Sequence, residues 1–320
     1  MPMTTKGEKD RANLRVTWLA VISNTLLTMG KLAAGVVMSS AAVVAEGLHS
    51  GVDLVAALIA FWAVRKARYP ADGDHAFGHG KYDALSGAAE GLLIFGAAFF
   101  IIVEAFRKII GGGEVERLGL GAFMMAASAV ANFLISARLF AVARKTDSVA
   151  VEADGHHLRT DVWTSLGVLA GIALIGLTGI HLLDPLAALV VAALIIITAW
   201  RITRKSFGDL LDRRLPDGEE RRIAEIIRKG HPHWLDFHEL RTRRAGGQRH
   251  LDLHLVTCRD IPLELAHSLT EDLEDDIRRE FPDAGIITHV EACVKEEEEC
   301  GAVCPMYDIK MKVITRGESF

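Results

Sequence analysis

The sequence predicts a membrane domain of six α-helices followed by a cytoplasmic α+β domain. Residues 1–205 carry 35 charged side chains, about 17%, whereas residues 206–320 carry 42, about 37%. The formal net charge changes from +3 in the first part to −8 in the second. The first part also contains six long apolar stretches. This segregation indicates two domains that fold in two different solvents.

The six apolar stretches are long enough to span a bilayer. Each approaches or exceeds the roughly 20 residues that an α-helix needs to cross about 30 Å of hydrocarbon. Buried helices of a large soluble protein rarely reach this length, and six in succession are rarer still. None resembles a cleaved signal, so the first span is expected to direct its own insertion. The predicted spans are Val16–Val37, Ala41–Val64, Ala84–Phe106, Leu118–Val142, Val162–Ile180 and Leu183–Ile202.

The distribution of Lys and Arg predicts that both termini lie in the cytoplasm. Basic residues concentrate before the first span, after the second and fourth spans, and after the sixth. The opposite connections carry few, although Arg107, Lys108 and Arg117 make the third one a mild exception. Loops rich in Lys and Arg stay on the cytoplasmic side. The overall net charge of −5 gives no argument for nucleic-acid binding.

Two of the spans carry ionisable residues that suit a metal ion. His49 and Asp53 lie four residues apart in the second span, and His157 and Asp161 repeat this spacing in the fifth. Side chains four apart share one face of a helix. Two imidazoles and two carboxylates can complete a tetrahedral Zn²⁺ site, while two unrelated hydrogen-bonded pairs are the alternative. Ionisable side chains at membrane depth are costly, so a transport site is the favoured interpretation.

This arrangement resembles the cation diffusion facilitator family, in particular its bacterial zinc and iron efflux members. The resemblance implies a homodimeric divalent metal/proton antiporter in the bacterial cytoplasmic (inner) membrane, whose transport site is formed by His49, Asp53, His157 and Asp161. Some members carry Asp in place of His49, and His at this position is associated with zinc in the family. A larger share of imidazole also favours Zn²⁺ over harder ions.

The loop between the second and third spans carries the family's most recognisable motif. The segment Pro70-Ala71-Asp72-Gly73-Asp74-His75-Ala76-Phe77-Gly78-His79-Gly80-Lys81 matches it. The match implies a second metal site formed by Asp72, His75 and His79, which the glycines would allow by a sharp turn. A solvated polar loop is the alternative from the residues alone. The resemblance further implies that Lys81 pairs with Asp212 and braces the dimer, although an ordinary surface ion pair would contribute little.

The acidic second part predicts a helix, two strands, a second helix and a last strand. Ile223, Ile226 and Ile227 form the apolar face of a helix that ends at Gly230. Residues 238–243 and 249–257 predict strands, and the second alternates Leu251, Leu253 and Leu255 with polar residues. Residues 263–281 predict the second helix and residues 285–290 the last strand. This order resembles the family's metallochaperone-like, ferredoxin-like domain.

The resemblance implies a further pair of Zn²⁺ ions in this domain, at the dimer interface. The matching positions are His238, His254, His267, His289 and Glu291. Each of these histidines alone is better explained as a surface residue. Metal there would neutralise carboxylates and draw two acidic domains together, which suggests a cytoplasmic sensor. Cys293, Cys300 and Cys304 near the C-terminus could also bind metal, but a flexible acidic tail with reduced thiols is favoured.

The predicted organisation is thus a cytoplasmic segment at residues 1–11, a membrane domain at 12–208, a metal-binding domain at 209–295 and a tail at 296–320. The predicted function is Zn²⁺/H⁺ antiport by alternating access, so the protein is expected to be a secondary transporter and not an enzyme. Export of Fe²⁺, Cd²⁺, Mn²⁺ or Co²⁺ and a metal sensor without flux remain the alternatives. An intramembrane metalloprotease is disfavoured because the sequence contains no His-Glu-x-x-His.

Overall fold

The computed structural model describes residues 6–37, 41–111, 119–178, 182–230, 234–259 and 261–294. The chain divides into two compact units, with the division between Leu211 and Asp212. The first unit is helical, and the second combines helices with a sheet. The predicted tail, with Cys300 and Cys304, lies outside the described residues.

The described residues of all six predicted spans are helical in the first unit. By length and composition, four helices contain stretches among the described residues that could cross a membrane, in α1, α3, α4 and α6. The bounds are α1 (Lys6–Val37), α2 (Ala41–Ala67), α3 (Lys81–Gly111), α4 (Gly119–Thr146), α5 (Val149–Thr178) and α6 (Leu183–Leu210).

Helix α5 begins 13 residues before the apolar stretch that predicted it. The stretch starts at Val162, whereas the helix starts at Val149. The intervening turns contain several polar side chains, and Asp154 and His157 among them are buried inside the unit. An apolar stretch marks only the part of a helix that contacts lipid. A helix that also buries polar groups against its neighbours is therefore longer than its apolar stretch.

A carboxylate from α3 caps the start of α5. Asp83 accepts hydrogen bonds from the Ser148 hydroxyl and from the backbone N–H of Val149, at 2.6 Å for the latter. The first N–H groups of a helix have no partner within the helix, and a carboxylate there also meets the positive end of the helix dipole. Helix α3 therefore fixes the position at which α5 begins.

Two glycines let α3 approach α6 closely. A methyl group at Gly91 would lie 2.3 Å from Thr203 Oγ1 and 3.3 Å from the Thr203 backbone nitrogen. A methyl group at Gly87 would lie 2.7 Å from Ser206 Oγ. Glycines four residues apart form one groove on a helix, and such grooves permit close backbone packing in membranes.

The second unit has the predicted order of elements. Its bounds are α7 (Asp217–Gly230), β1 (Asp236–Ala245), β2 (Gln248–Thr257), α8 (Leu263–Glu280) and β3 (Ala284–Ala292). Strand β2 lies in the centre of the sheet, antiparallel to β1 and parallel to β3. A turn at Gly246, with φ of +60°, joins β1 to β2, and α8 provides the crossover to β3.

The core of this unit confirms the alternation read from the sequence. Leu251, Leu253 and Leu255 of β2 are buried, and they pack with residues of α7 and α8. The buried helical residues include Ile223, Ile227, Leu273 and Ile277. The opposite face of the sheet is consequently left to polar side chains.

The Gly91 contact predicts a specific packing defect. We expect Gly91→Ala to destabilise the membrane unit by about 1–3 kcal/mol, because its methyl group overlaps the Thr203 hydroxyl and presses on the Thr203 backbone. Gly96 of the same helix has open space around its Cα, so Gly96→Ala is the matched control. Thermal unfolding of the purified protein in detergent measures both. Equal melting temperatures for the two variants would contradict this packing.

Candidate metal centres

A cluster of three ligand residues lies inside the helical unit. Asp53 of α2, together with His157 and Asp161 of α5, each offers one ligand atom within 4.8 Å of the others. His157 Nε2 lies 3.2 Å from Asp53 Oδ1, and both residues are buried. The structure thus brings together three of the four residues predicted for the transport site. The side chain of the fourth, His49, lies outside the described residues.

Neighbouring amides hold the cluster in place. Asn132 of α4 donates from Nδ2 to Asp161 Oδ2 at 3.3 Å. Asn24 of α1 donates from Nδ2 to the backbone oxygen of Asp53 at 3.4 Å. The site is therefore supported by four helices, although only α2 and α5 provide the proposed ligands. These asparagines were not predicted from the sequence, although their position as polar residues within apolar spans is a signal for them.

A buried lysine lies close to the same part of α2. Lys31 of α1 is buried, and its Nζ donates to Ser50 Oγ at 2.8 Å. The Thr28 hydroxyl donates to the backbone oxygen of Ser50 at 2.9 Å. Lys31 was not predicted from the sequence either. Its partner Ser50 lies about one turn before Asp53 on α2. Hydrogen bonds of this kind make a buried positive charge tolerable.

The chemistry of the buried cluster suits a divalent cation. Two carboxylates close together inside a low-dielectric region repel each other, and the carboxylates and the imidazole all lose their water. A divalent cation would neutralise both carboxylates and accept all three ligand atoms. An opening toward either side would then turn this cluster from a static site into a transport site.

The loop between α2 and α3 brings Asp72, His75 and His79 together. Their ligand atoms lie within 4.8 Å of one another. Asp72 Oδ1 lies 3.1 Å from His75 Nδ1, and Asp72 Oδ2 lies 3.4 Å from His79 Nε2. Gly78 turns the chain with a φ of +77°, a conformation that favours glycine.

Within the loop, the carboxylate of Asp72 is kept ionised. Limited desolvation opposes ionisation, but hydrogen bonds from His75 and Asp74 outweigh it, so the pKa of Asp72 lies below its usual value. The His79 side chain is buried, and its Nδ1 lies 3.2 Å from the backbone oxygen of Pro70. Such a contact orients the ring so that Nε2 faces the carboxylate.

The sheet of the second unit aligns three histidines. His238, His254 and His289 are register partners on β1, β2 and β3. Glu291 Oε1 lies 2.8 Å from His254 Nδ1, and Glu291 Oε2 lies 3.3 Å from His238 Nε2. His238, His254 and Glu291 form a group that could hold a metal ion. The third histidine is close to this group, with His289 Nε2 3.8 Å from Glu291 Oε1. Residues distant in sequence thereby share one polar face.

Glu239 joins this face and was not predicted. It occupies a register irregularity of β1, with a φ of +49°, and its Oε2 lies 3.8 Å from His254 Nε2. The hydrogen bond from Arg241, helped by the nearby His254, lowers the pKa of Glu239. A bulge can redirect a side chain in this way, and nothing in the local sequence indicates it.

Three other predicted residues make different contacts. His267 of α8 pairs with Glu271, at 3.5 Å from Nε2 to Oε1, one turn along its own helix. Lys81 Nζ donates to the backbone oxygen of Leu210 at 3.1 Å, and Asp212 Oδ1 accepts from Arg243 Nη1 at 3.2 Å. Lys81 and Asp212 belong to different compact units, and their pairing stays a prediction.

Comparisons with known proteins agree with this architecture. The family model described as the cation efflux transmembrane domain matches residues 17–211, and that of the cation efflux protein cytoplasmic domain matches residues 215–293. An uncharacterised transporter, sll1263, of Synechocystis is 34% identical over 84% of this chain and 87% of its own length. The cation-efflux pump FieF of Pectobacterium atrosepticum is 35% identical over 86% of this chain and 92% of its own.

A solved structure also matches part of the chain. It is that of CzrB, described there as a candidate zinc transporter, and is 39% identical. The match covers 25% of this chain and 98% of that one, with a TM-score of 0.24.

The helical membrane domain, with its buried cluster of residues that could hold a metal ion, and the α+β domain that follows it in the chain match those of a membrane transporter of metal cations. This chain belongs to the cation diffusion facilitator, or cation efflux, family and is similar to its FieF members.

The position of Glu291 predicts which residue matters most in the sheet cluster. Its carboxylate contacts all three strand histidines, so we expect Glu291→Gln to weaken Zn²⁺ binding to this domain by at least about tenfold. Asp275→Asn removes an equally charged exposed side chain that pairs with Arg278 and is expected to change little. Isothermal titration of the full-length protein with Zn²⁺ measures both, and an equal loss in the two variants would contradict a cluster organised by Glu291.

Proposed function

We propose that this chain exports Zn²⁺ from the cytoplasm in exchange for protons. The contact between Asp53 of α2 and His157 of α5, with Asp161 in the same cluster, is the observation that carries the proposal. His49 completes the proposed ligand set. The ion is the substrate, bound by His49, Asp53, His157 and Asp161 and released on the other side of the membrane.

The coupling to protons follows from the ligand chemistry. Carboxylates and imidazoles bind metal only when deprotonated, so Zn²⁺ and protons compete for the same atoms. Zn²⁺ entering from the cytoplasm displaces protons from the cluster. Protons arriving from the acidic outer side then displace Zn²⁺ after the helices have reoriented. The proton gradient thereby drives export.

The proposal places the chain in the bacterial inner membrane with both termini in the cytoplasm. The distribution of Lys and Arg supports this orientation. We propose that two copies assemble, since the second unit matches the cytoplasmic domain model and carries the sheet cluster. Lys81 with Asp212 would brace the two copies near the membrane.

Resident zinc is proposed at two further positions. Asp72, His75 and His79 would hold an ion that stabilises the loop after α2. His238, His254, His289 and Glu291, with His267, would hold regulatory zinc in the second unit. The structure supports the strand residues most directly, because Glu291 already contacts all three strand histidines.

Removal of one ligand charge tests the transport site. We expect Asp53→Asn, which keeps the size of the side chain, to reduce Zn²⁺ uptake into inverted vesicles by about 100-fold or more. Glu104→Gln is the control, because this half-exposed carboxylate of α3 pairs with Arg107 instead. Both variants should elute as the folded protein. Normal zinc flux through Asp53→Asn would refute the site.

Ion selectivity and proton movement test the reaction itself. In proteoliposomes loaded with a pH indicator, Zn²⁺ is expected to drive proton movement in the opposite direction and to do so better than Fe²⁺, Mn²⁺ or Co²⁺. Softer ligands favour Zn²⁺, and Cd²⁺ is the nearest competitor. Zinc flux without proton movement would contradict antiport. Zinc binding without any flux would support the alternative, a membrane-bound metal sensor.

A further inference from the structure

A basic crevice opens between α4, α5 and α6, and none of the proposed metal ligands lines it. Its volume is about 730 Å³, and each of the three helices contributes a basic residue: Arg144, Arg159 and Lys205. A smaller cavity of about 240 Å³ shares Lys205 with it and adds Arg201. The metal-transport mechanism proposed above uses none of these four residues.

The crevice carries an excess of positive charge. Lys205 forms an ion pair with Glu152, so these two charges offset each other. The lining of the larger cavity contains three basic residues, Arg144, Arg159 and Lys205, and two acidic residues, one of which is Glu152. Asp147 is the remaining acidic residue of the lining. The lining is therefore net positive and lacks a matching number of carboxylates.

Arg159 makes this charge unusual because of its position. It lies ten residues after the start of α5, which corresponds to about 15 Å along the helix axis. Its Nε donates to Ser136 Oγ at 3.2 Å, and its guanidinium carbon lies 4.5 Å from the centre of the Phe133 ring. Arg159 also lies three residues before the apolar stretch that begins at Val162, at the level where lipid headgroups are expected, so an anionic headgroup suits the guanidinium N–H groups that do not bind Ser136.

The other walls of the crevice are apolar and face outward. Trp163 and Leu194 line it and are 51% and 56% exposed at the surface of the bundle. Phe140 and Ile195 continue this apolar lining. A site that is basic on one side and apolar on the other matches a molecule with an anionic head and hydrocarbon chains. A second copy of this chain is a poorer occupant, because two-fold symmetry would place the basic residues of the two copies opposite each other.

We propose that this crevice binds an anionic phospholipid. The phosphate headgroup contacts Arg144, Arg159 and Arg201, and the acyl chains pack against Trp163 and Leu194. The proposal concerns the lipid around the protein and is independent of which metal the protein transports. Its test is accordingly a binding measurement in which metal flux plays no part.

Quenching of Trp163 fluorescence by brominated lipids tests the proposal directly. The full-length protein is reconstituted in vesicles that contain brominated phosphatidylglycerol or brominated phosphatidylcholine, and the Trp163 signal is the difference from a Trp163→Phe variant. We expect phosphatidylglycerol to be preferred at Trp163 by about tenfold or more. Each basic residue near a membrane surface contributes about 1 kcal/mol, or about fivefold, to such a preference.

Matched variants separate the crevice from the general surface charge. Arg144→Gln with Arg159→Gln is expected to remove most of the preference. Lys145→Gln with Arg204→Gln removes the same charge from exposed residues of α4 and α6 outside the crevice. This double variant is expected to keep the preference for phosphatidylglycerol. Arg159→Lys preserves the charge and is expected to retain most of the preference, which also guards against misfolding of the glutamine variant.

Three results would overturn the proposal. An equal loss in the two double variants would show that the preference reflects net charge alone. A loss in Arg159→Lys as large as in the glutamine variant would contradict an electrostatic origin. Finally, inorganic phosphate that abolishes the preference at millimolar concentration would identify a site for free phosphate in place of a lipid.

Discussion

The contact between Asp53 and His157 is the constraint from which the arrangement of the first unit follows. Charged groups withdrawn from water require partners, and Asp53 and His157 provide partners for each other across two helices. Helix α2 must therefore lie against α5, while Asn24 and Asn132 bring in α1 and α4. Helices α3 and α6 pack closely against each other at Gly87 and Gly91. The bundle thus combines polar contacts around Asp53 and His157 with close packing of α3 against α6.

The second unit also brings together side chains that could bind a metal ion, but it does so through a sheet. In the membrane unit, the helical period of about four residues brings His157 and Asp161 together, and the packing of α2 against α5 adds Asp53. In the sheet, residues that lie far apart in sequence meet because three strands share a register. The buried leucines of β2 fix that register, since a shift of one residue would exchange its apolar and polar faces. The core of the domain therefore determines where the histidines lie.

Much of this structure could be predicted from the sequence, because its main signals are local. The apolar stretches predicted six helices, and the alternation of Leu251, Leu253 and Leu255 predicted the buried face of β2. The start of α5 could not be read in this way, because its first turns bury polar residues against other helices. Asn132, Lys31 and Glu239 were missed for a related reason. Each acts through a neighbour distant in sequence, and only the fold provides that neighbour.

The cap that Asp83 places on α5 has a consequence for how the chain is assembled in the membrane. Asp83 belongs to the third helix made, but its donors, Ser148 and Val149, are synthesised about 65 residues later. Until those donors arrive, the carboxylate must keep its water, because a bare charge is not tolerated in hydrocarbon. That end of α3 therefore stays at the aqueous boundary during translation. The burial of Asp83 is completed only when the hairpin of α4 and α5 has entered the bilayer.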